Sequence, residues 1–173
     1  NSWTKPIELP VPAQVSGFPS ITLAPDGGLH VVYTVPVNEQ RGVYHLVSLD
    51  QGLTWSEPHL VFDAAAENWL MVRNPSVKVD NANRVHVVWA QSTLPGDDQP
   101  LGIYYTFSDD GGQHWINPNQ LDGLGAGFPQ MVLSAESEVQ VAWARQAADG
   151  LDLWVVRSTD SGQGWQQAVN VPN

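Results

Sequence analysis

The side chains in this sequence best suited to holding a ligand are three arginines, a tryptophan and a pair of adjacent aspartates. Arg41, Arg73 and Arg145 lie in or beside stretches that interrupt runs of β-forming residues. A guanidinium so placed could grip a carboxylate through two parallel hydrogen bonds. For Arg73 the structural alternative is a salt bridge to an acid such as Glu67. Trp69 falls in the irregular stretch from Asp63 to Asn74, where an indole could stack on a sugar ring or a partner surface, or simply pack the loop. Asp97 and Asp98, in Leu94-Pro95-Gly96-Asp97-Asp98-Gln99-Pro100, could shift one another's pKa or hold a cation. A solvated acidic loop is the plainer reading.

Other chemistries lack their residues. The sequence has no Cys, which removes disulfides, thiolate metal sites and thiol nucleophiles together. It has no Gly-x-Ser-x-Gly, no His-Glu-x-x-His and no phosphate-cradling glycine loop, so neither a cofactor nor a metal is expected. Seven Lys and Arg stand against 18 Asp and Glu, without a basic cluster, which argues against nucleic acid or anionic lipid as a partner. No apolar run reaches the ~18 residues of a spanning helix, so the expectation is a soluble chain whose export signal has been removed. The one Asn-x-Ser arrangement, Asn74-Pro75-Ser76, carries the excluded proline.

What positions these residues is a repeat. Ser48, Asp50, Gly52 and Trp55 recur at the same spacing as Ser108, Asp110, Gly112 and Trp115, and again as Ser158, Asp160, Gly162 and Trp165. Ahead of each Ser-x-Asp-x-Gly-x-x-Trp lies the same series: a Pro-led apolar run (Pro19, Pro75, Pro129), a turn, a run ending in an aromatic (Tyr33, Trp89, Trp143), a loop, and a second aromatic-rich run. Short β-branched and aromatic runs between Gly, Pro, Asn and Asp predict strands. A fourth run follows each Trp, and its proline suits an outer edge. Each unit is thus a four-stranded sheet, over about 19–62, 75–121 and 128–171, and residues 1–173 form one domain. The eight-residue element reads mechanically: serine and aspartate oxygens accept backbone N–H groups in a tight turn, glycine takes a left-handed conformation and tryptophan is buried. His30 and His86 hold matching repeat positions, with Gln140 at the third, which points to a structural role rather than metal ligation.

Four strands closed by this octapeptide resemble the Asp-box, or BNR, repeats of sialidases and related β-propellers, over nearly the whole chain. The implied fold is all-β: a β-propeller of the sialidase type with three four-stranded antiparallel blades. The resemblance also implies that the boxes join third to fourth strands on the face opposite the ligand mouth. Trp3-Thr4-Lys5-Pro6-Ile7-Glu8-Leu9 matches the post-box run Trp55 to Val61, which predicts an extra N-terminal outer strand over residues 3–9. Three blades cannot close a ring. The expected partner is therefore a second copy, giving six blades, or the remainder of a longer propeller.

Sialidases of this fold use an arginine cluster, a Tyr–Glu nucleophile pair, an aspartate acid and an Arg-x-Pro motif. Arg73-Asn74-Pro75 matches the last, where the other units have Gly17-Phe18-Pro19 and Gly127-Phe128-Pro129. No tyrosine has an activating glutamate at a recognisable spacing. The expectation is a non-catalytic extracellular or cell-surface module that binds glycan or protein, with Trp69, Arg73 and Asn74 foremost. The alternatives are part of a sialidase-like hydrolase and a self-assembling structural repeat.

Overall fold

In a computed structural model, which describes residues 5–12, 15–96 and 99–171, the chain forms three four-stranded antiparallel sheets and no helix among the described residues. The first comprises β1 (Gly17–Leu23), β2 (Leu29–Val35), β3 (Gly42–Ser48) and β4 (His59–Asp63). The second comprises β5 (Met71–Val79), β6 (Val85–Ser92), β7 (Pro100–Ser108) and β8 (Asn119–Asp122). The third comprises β9 (Ala126–Leu133), β10 (Val139–Ala147), β11 (Gly150–Ser158) and β12 (Val169–Val171). Each sheet pairs in chain order, and β1 lies beside β5 as β5 lies beside β9. First strands therefore gather on the inside of the row.

Burial along the strands records how the sheets stack. β6 is buried on both faces, and its Val85-His86-Val87-Val88-Trp89 run has no solvent side to alternate with. β10 alternates buried and exposed from Val139 to Trp143, because only one face of the third sheet is covered. Val32, Val43 and Val61 meet Val77, Val87 and Trp89 between the first two sheets, and Ile103, Tyr105 and Phe107 meet Met131, Val141 and Trp143 between the second and third. Burying each such side chain contributes about 1.5–3 kcal/mol, so the sheets depend on these joints.

The octapeptide corners are hydrogen-bonded alike. Ser48, Ser108 and Ser158 each donate Oγ–H to the aspartate two residues on, at 2.7–2.8 Å, and accept the N–H of Gly52, Gly112 or Gly162 at 2.8–2.9 Å. Asp50, Asp110 and Asp160 then accept the backbone N–H of Thr54, His114 and Gly164. These bonds favour the charged carboxylate. Asp50, bonded most strongly by Thr54, is held down at about 2, and Asp110 and Asp160 also fall below the usual carboxylate range.

The box glycines have a second duty that spans sheets. A Cβ at Gly112 would overlap the His45 ring of the first sheet, and one at Gly162 would overlap Tyr105 of the second. The box tryptophans meet the same two rings edge-on, Trp115 at 5.6 Å from His45 and Trp165 at 4.8 Å from Tyr105. Arg84 also crosses this joint: it lies 4.1 Å over Phe107 and donates to Ser161 O of the third box.

The strand expected over residues 3–9 is not found in the part that can be described. Trp3 and Thr4 lie outside the described residues, and Lys5–Leu9 joins no sheet. An outer strand needs a third strand to pair with, and β3, β7 and β11 already hold β4, β8 and β12. Leu9 nevertheless packs on Val31, Tyr33, Val35 and Leu46 of the first sheet.

Candidate functional site

All three first strands break register at the same point. Phe18 and Pro19 share one opposing residue, Tyr33; Asn74 and Pro75 share Trp89; Phe128 and Pro129 share Trp143. The bulged residues take φ of 52°, 52° and 58°. A left-handed conformation costs an L-residue about 1–2 kcal/mol, and a bulge re-aims the side chain it carries. Two of the three are phenylalanines, with Phe18 42% and Phe128 52% exposed. Sequence reasoning passed over both. The available signal was a residue before proline at one repeat position in three consecutive units, phenylalanine in two of them.

These bulges lie at the end of the sheets away from the boxes, with the loops that join one sheet to the next. Arg73, beside the second bulge, places its guanidinium 5.8 Å from the centre of the Phe128 ring, so neighbouring sheets contribute to one surface. Asn74 is half-buried, and its Oδ1 is buried with no hydrogen-bond partner among the described residues. An acceptor in that state is costly unless a ligand or water meets it.

The other sequence-predicted residues occupy separate places. Arg41 donates to the backbone oxygens of Trp69 and Asn38, clipping the β2–β3 loop to the connection between the first two sheets. Trp69 is wedged between Phe62 and Tyr104, each at 4.4 Å, as part of the joint between the first two sheets. Arg145 lies 5.2 Å over Trp154 and 3.5 Å from Asp122, whose other oxygen accepts Trp143 Nε1–H. Asp97 and Asp98 lie outside the described residues. Among the described residues no three His, Cys, Asp or Glu side chains converge to hold a metal.

The tyrosines are poorly placed for nucleophilic work. Burial raises the phenol pKa of Tyr33, Tyr44, Tyr104 and Tyr105, disfavouring phenolate in each. Tyr44, Tyr104 and Tyr105 bond Gln40 O, Gln91 Oε1 and His86 Nδ1. The matched histidines lie in the sheet joints. His30 Nδ1 is 2.9 Å from His45 Nε2, and His86 meets Tyr105 Oη at 2.6 Å. Burial, then the neighbouring His30 and His59, lowers His45 to about 3, and burial lowers His86 to about 4.

The model of the BNR repeat-like domain matches residues 1–173. The chain belongs to the BNR repeat-like family. Among solved structures this BNR chain is similar to a Hadza microbial sialidase, at 18% identity and TM-score 0.70, over 88% of this chain and 37% of that one. It is similar to an α-L-arabinofuranosidase from Fusarium graminearum at 20% identity and TM-score 0.63, over 90% and 48%. The NanB sialidase of Streptococcus pneumoniae matches at 12% identity and TM-score 0.61, over 92% and 45%. These likenesses establish the sialidase-like propeller fold, of which the chain spans about a third to a half of each relative's length. Comparison with curated protein sequences finds no match.

Proposed function

We propose that the chain is part of an extracellular or cell-surface propeller that binds glycan, without turning it over, at the end where β1, β5 and β9 begin. The observation that carries this reading is Arg73 set against the exposed ring of Phe128, beside the unpartnered Asn74 Oδ1. An aromatic face stacks on a sugar, a guanidinium takes a carboxylate or hydroxyl, and an amide oxygen accepts a sugar O–H. Support also comes from the names of the structural relatives, a sialidase and an arabinofuranosidase. The raised tyrosine pKa values speak against a phenolate nucleophile on these sheets.

A glycan-array screen followed by calorimetry tests the reading. The expected result is a hit whose affinity falls at least tenfold in Arg73→Ala and in Phe128→Ala; an affinity unmoved by both would refute it. The Arg73-Asn74-Pro75 match and those same relatives favour a second reading, part of a glycoside hydrolase. Turnover of a fluorogenic sialoside or arabinofuranoside, abolished by Arg73→Ala, would establish that reading over the first.

A further inference from the structure

An aspartate followed by glycine is open to a backbone rearrangement, because no side chain shields the glycine nitrogen from the neighbouring carboxyl and glycine turns freely to bring the two together. The sequence has four such steps: Asp26-Gly27, Asp110-Gly111, Asp122-Gly123 and Asp149-Gly150. The fold treats them unequally. Asp26 Oδ1 accepts the N–H of Gly28 at 2.9 Å. Asp110 Oδ1 accepts Ser108 Oγ–H and the N–H groups of Gln113 and His114. Asp122 is engaged on both oxygens, by Gly123 N–H at 2.8 Å and by Trp143 Nε1–H at 2.7 Å. Asp149 alone of the four makes no side-chain hydrogen bond or ion pair among the described residues.

Asp149 and Ala148 form the two-residue turn between β10 and β11, closed by the pair Ala147 and Gly150. Both are exposed, and a Cβ placed on Gly150 would meet nothing within 4 Å. Tips of this kind stay exposed where another sheet follows. Asn38, Glu39 and Gln40 in the first sheet are exposed, as are Leu94, Pro95 and Gly96 in the second. The exposure of Asp149 thus belongs to the tip of the hairpin and not to the outer face of the third sheet.

We propose that Asp149-Gly150 is a site of spontaneous isomerisation to isoaspartate, a modification the folded chain permits there and suppresses at the other three steps. The Gly150 nitrogen loses its proton and attacks Asp149 Cγ, and the carboxyl hydroxyl takes up a proton and leaves as water, closing a five-membered succinimide. One water then opens the ring at either carbonyl. Attack at one restores aspartate; attack at the other leaves the chain running through Cγ. Nothing is oxidised or reduced, and the mass returns to its starting value. At Asp110 the hydrogen bonds that hold the carboxylate charged leave no hydroxyl to depart.

The site lies at the ligand end, since β10 pairs there with the start of β9, Arg145 opposite Ala126. Isomerisation adds one backbone carbon to a turn whose length sets the hairpin geometry. The base of the hairpin is tied across the ligand end, because Gln146 N–H donates to Gly125 O and Gly125 N–H to Pro100 O. The added atom therefore acts on the connection between the second and third sheets. This inference does not depend on the glycan reading.

Incubating the folded full chain for weeks in near-neutral buffer, followed by trypsin digestion and electron-transfer fragmentation, tests it. Cleavage after Arg145 and Arg157 isolates Asp149 from the other three steps. The expected result is isoaspartate at Asp149 at a rate about fivefold or more above each of the others, the factor that one net hydrogen bond makes in a rate. In urea the four rates should converge. Asp149→Glu, which keeps the charge but lengthens the ring that would have to close, should remove the signal from residues 146–157. Equal rates at the four steps in the folded chain, or a signal that survives Asp149→Glu, would overturn the proposal.

Discussion

Alanine at Gly162 should cost far more than alanine at Gly52, although both occupy the same position of the same motif. The backbone penalty is common to the two, since φ is +84° at Gly162 and +86° at Gly52, and amounts to about 1–2 kcal/mol. At Gly52 the nearest atoms to a new Cβ are Leu29 Cδ1 at 3.5 Å and Trp55 Cζ2 at 3.8 Å, ordinary contacts. At Gly162 the methyl would stand 2.5 Å from Tyr105 Cζ and 2.8 Å from Cε1, and closer still to the hydroxyl. Tyr105 is fully buried and its hydroxyl is committed to His86, so it cannot swing away. Overpacking of this kind costs about 1–3 kcal/mol, and loss of the tyrosine–histidine bond about 1 kcal/mol. Gly162→Ala is therefore expected to lose about 3–6 kcal/mol in all, by adding backbone strain, overpacking and the lost bond. At about 2–4 °C per kcal/mol for a chain of this size, Tm should fall by about 6–24 °C. Gly52→Ala should fall by a few degrees. Urea and thermal unfolding at low protein concentration compare the two within a single chain. Adding Tyr105→Phe to Gly162→Ala should recover part of the loss. Equal costs for the two alanines would refute the claim that the box glycine serves the joint between sheets as well as its own turn.

Acid should weaken the fold between pH 6.5 and about 4. His45 and His86 are held neutral in the folded chain, at about 3 and about 4, while the unfolded chain takes up their protons near 6.5. Stability is thus complete above pH 6.5 and falls as pH drops, by about 1.4 kcal/mol per unit for each histidine. Urea titrations from pH 7 to 4.5 should show that slope, and His86→Gln should lessen it while His45 and His30, also lowered by burial, keep the rest. Ser158→Ala should cost about 1–3 kcal/mol by leaving the buried Gly162 N–H without its acceptor, measured by the urea midpoint. Phe128→Gly should change stability by less than about 1 kcal/mol, because relief at φ 58° offsets the entropy of glycine. A large loss there would mean that the ring packs the fold rather than facing a ligand.

Features that repeat locally were legible in the sequence. The spacing of Ser48, Asp50, Gly52 and Trp55, copied twice, carries its hydrogen bonds within eight residues, and the strand runs between copies follow from β-branched and aromatic content. What escaped depends on contacts between sheets. Nothing near Gly112 in sequence mentions His45, and nothing near Arg73 mentions Phe128, 55 positions on. The left-handed bulges at Phe18, Asn74 and Phe128 also run against local expectation, since a residue before proline favours extended backbone. Trp69 lacked a repeat partner because it fills a gap between two sheets. The run Lys5–Leu9 has an outer-strand pattern, but the pattern cannot supply the neighbour that a strand requires.

The glycine corner always belongs to the later sheet and the receiving ring to the earlier one, so the row has a polarity, like the plus and minus ends of a filament. A duplicated unit inserted in the same orientation would find a complementary surface on each side without any new interface, while an inverted one would find none. Lengthening by tandem copying is thus built into the geometry of a single hydrogen-bonded turn.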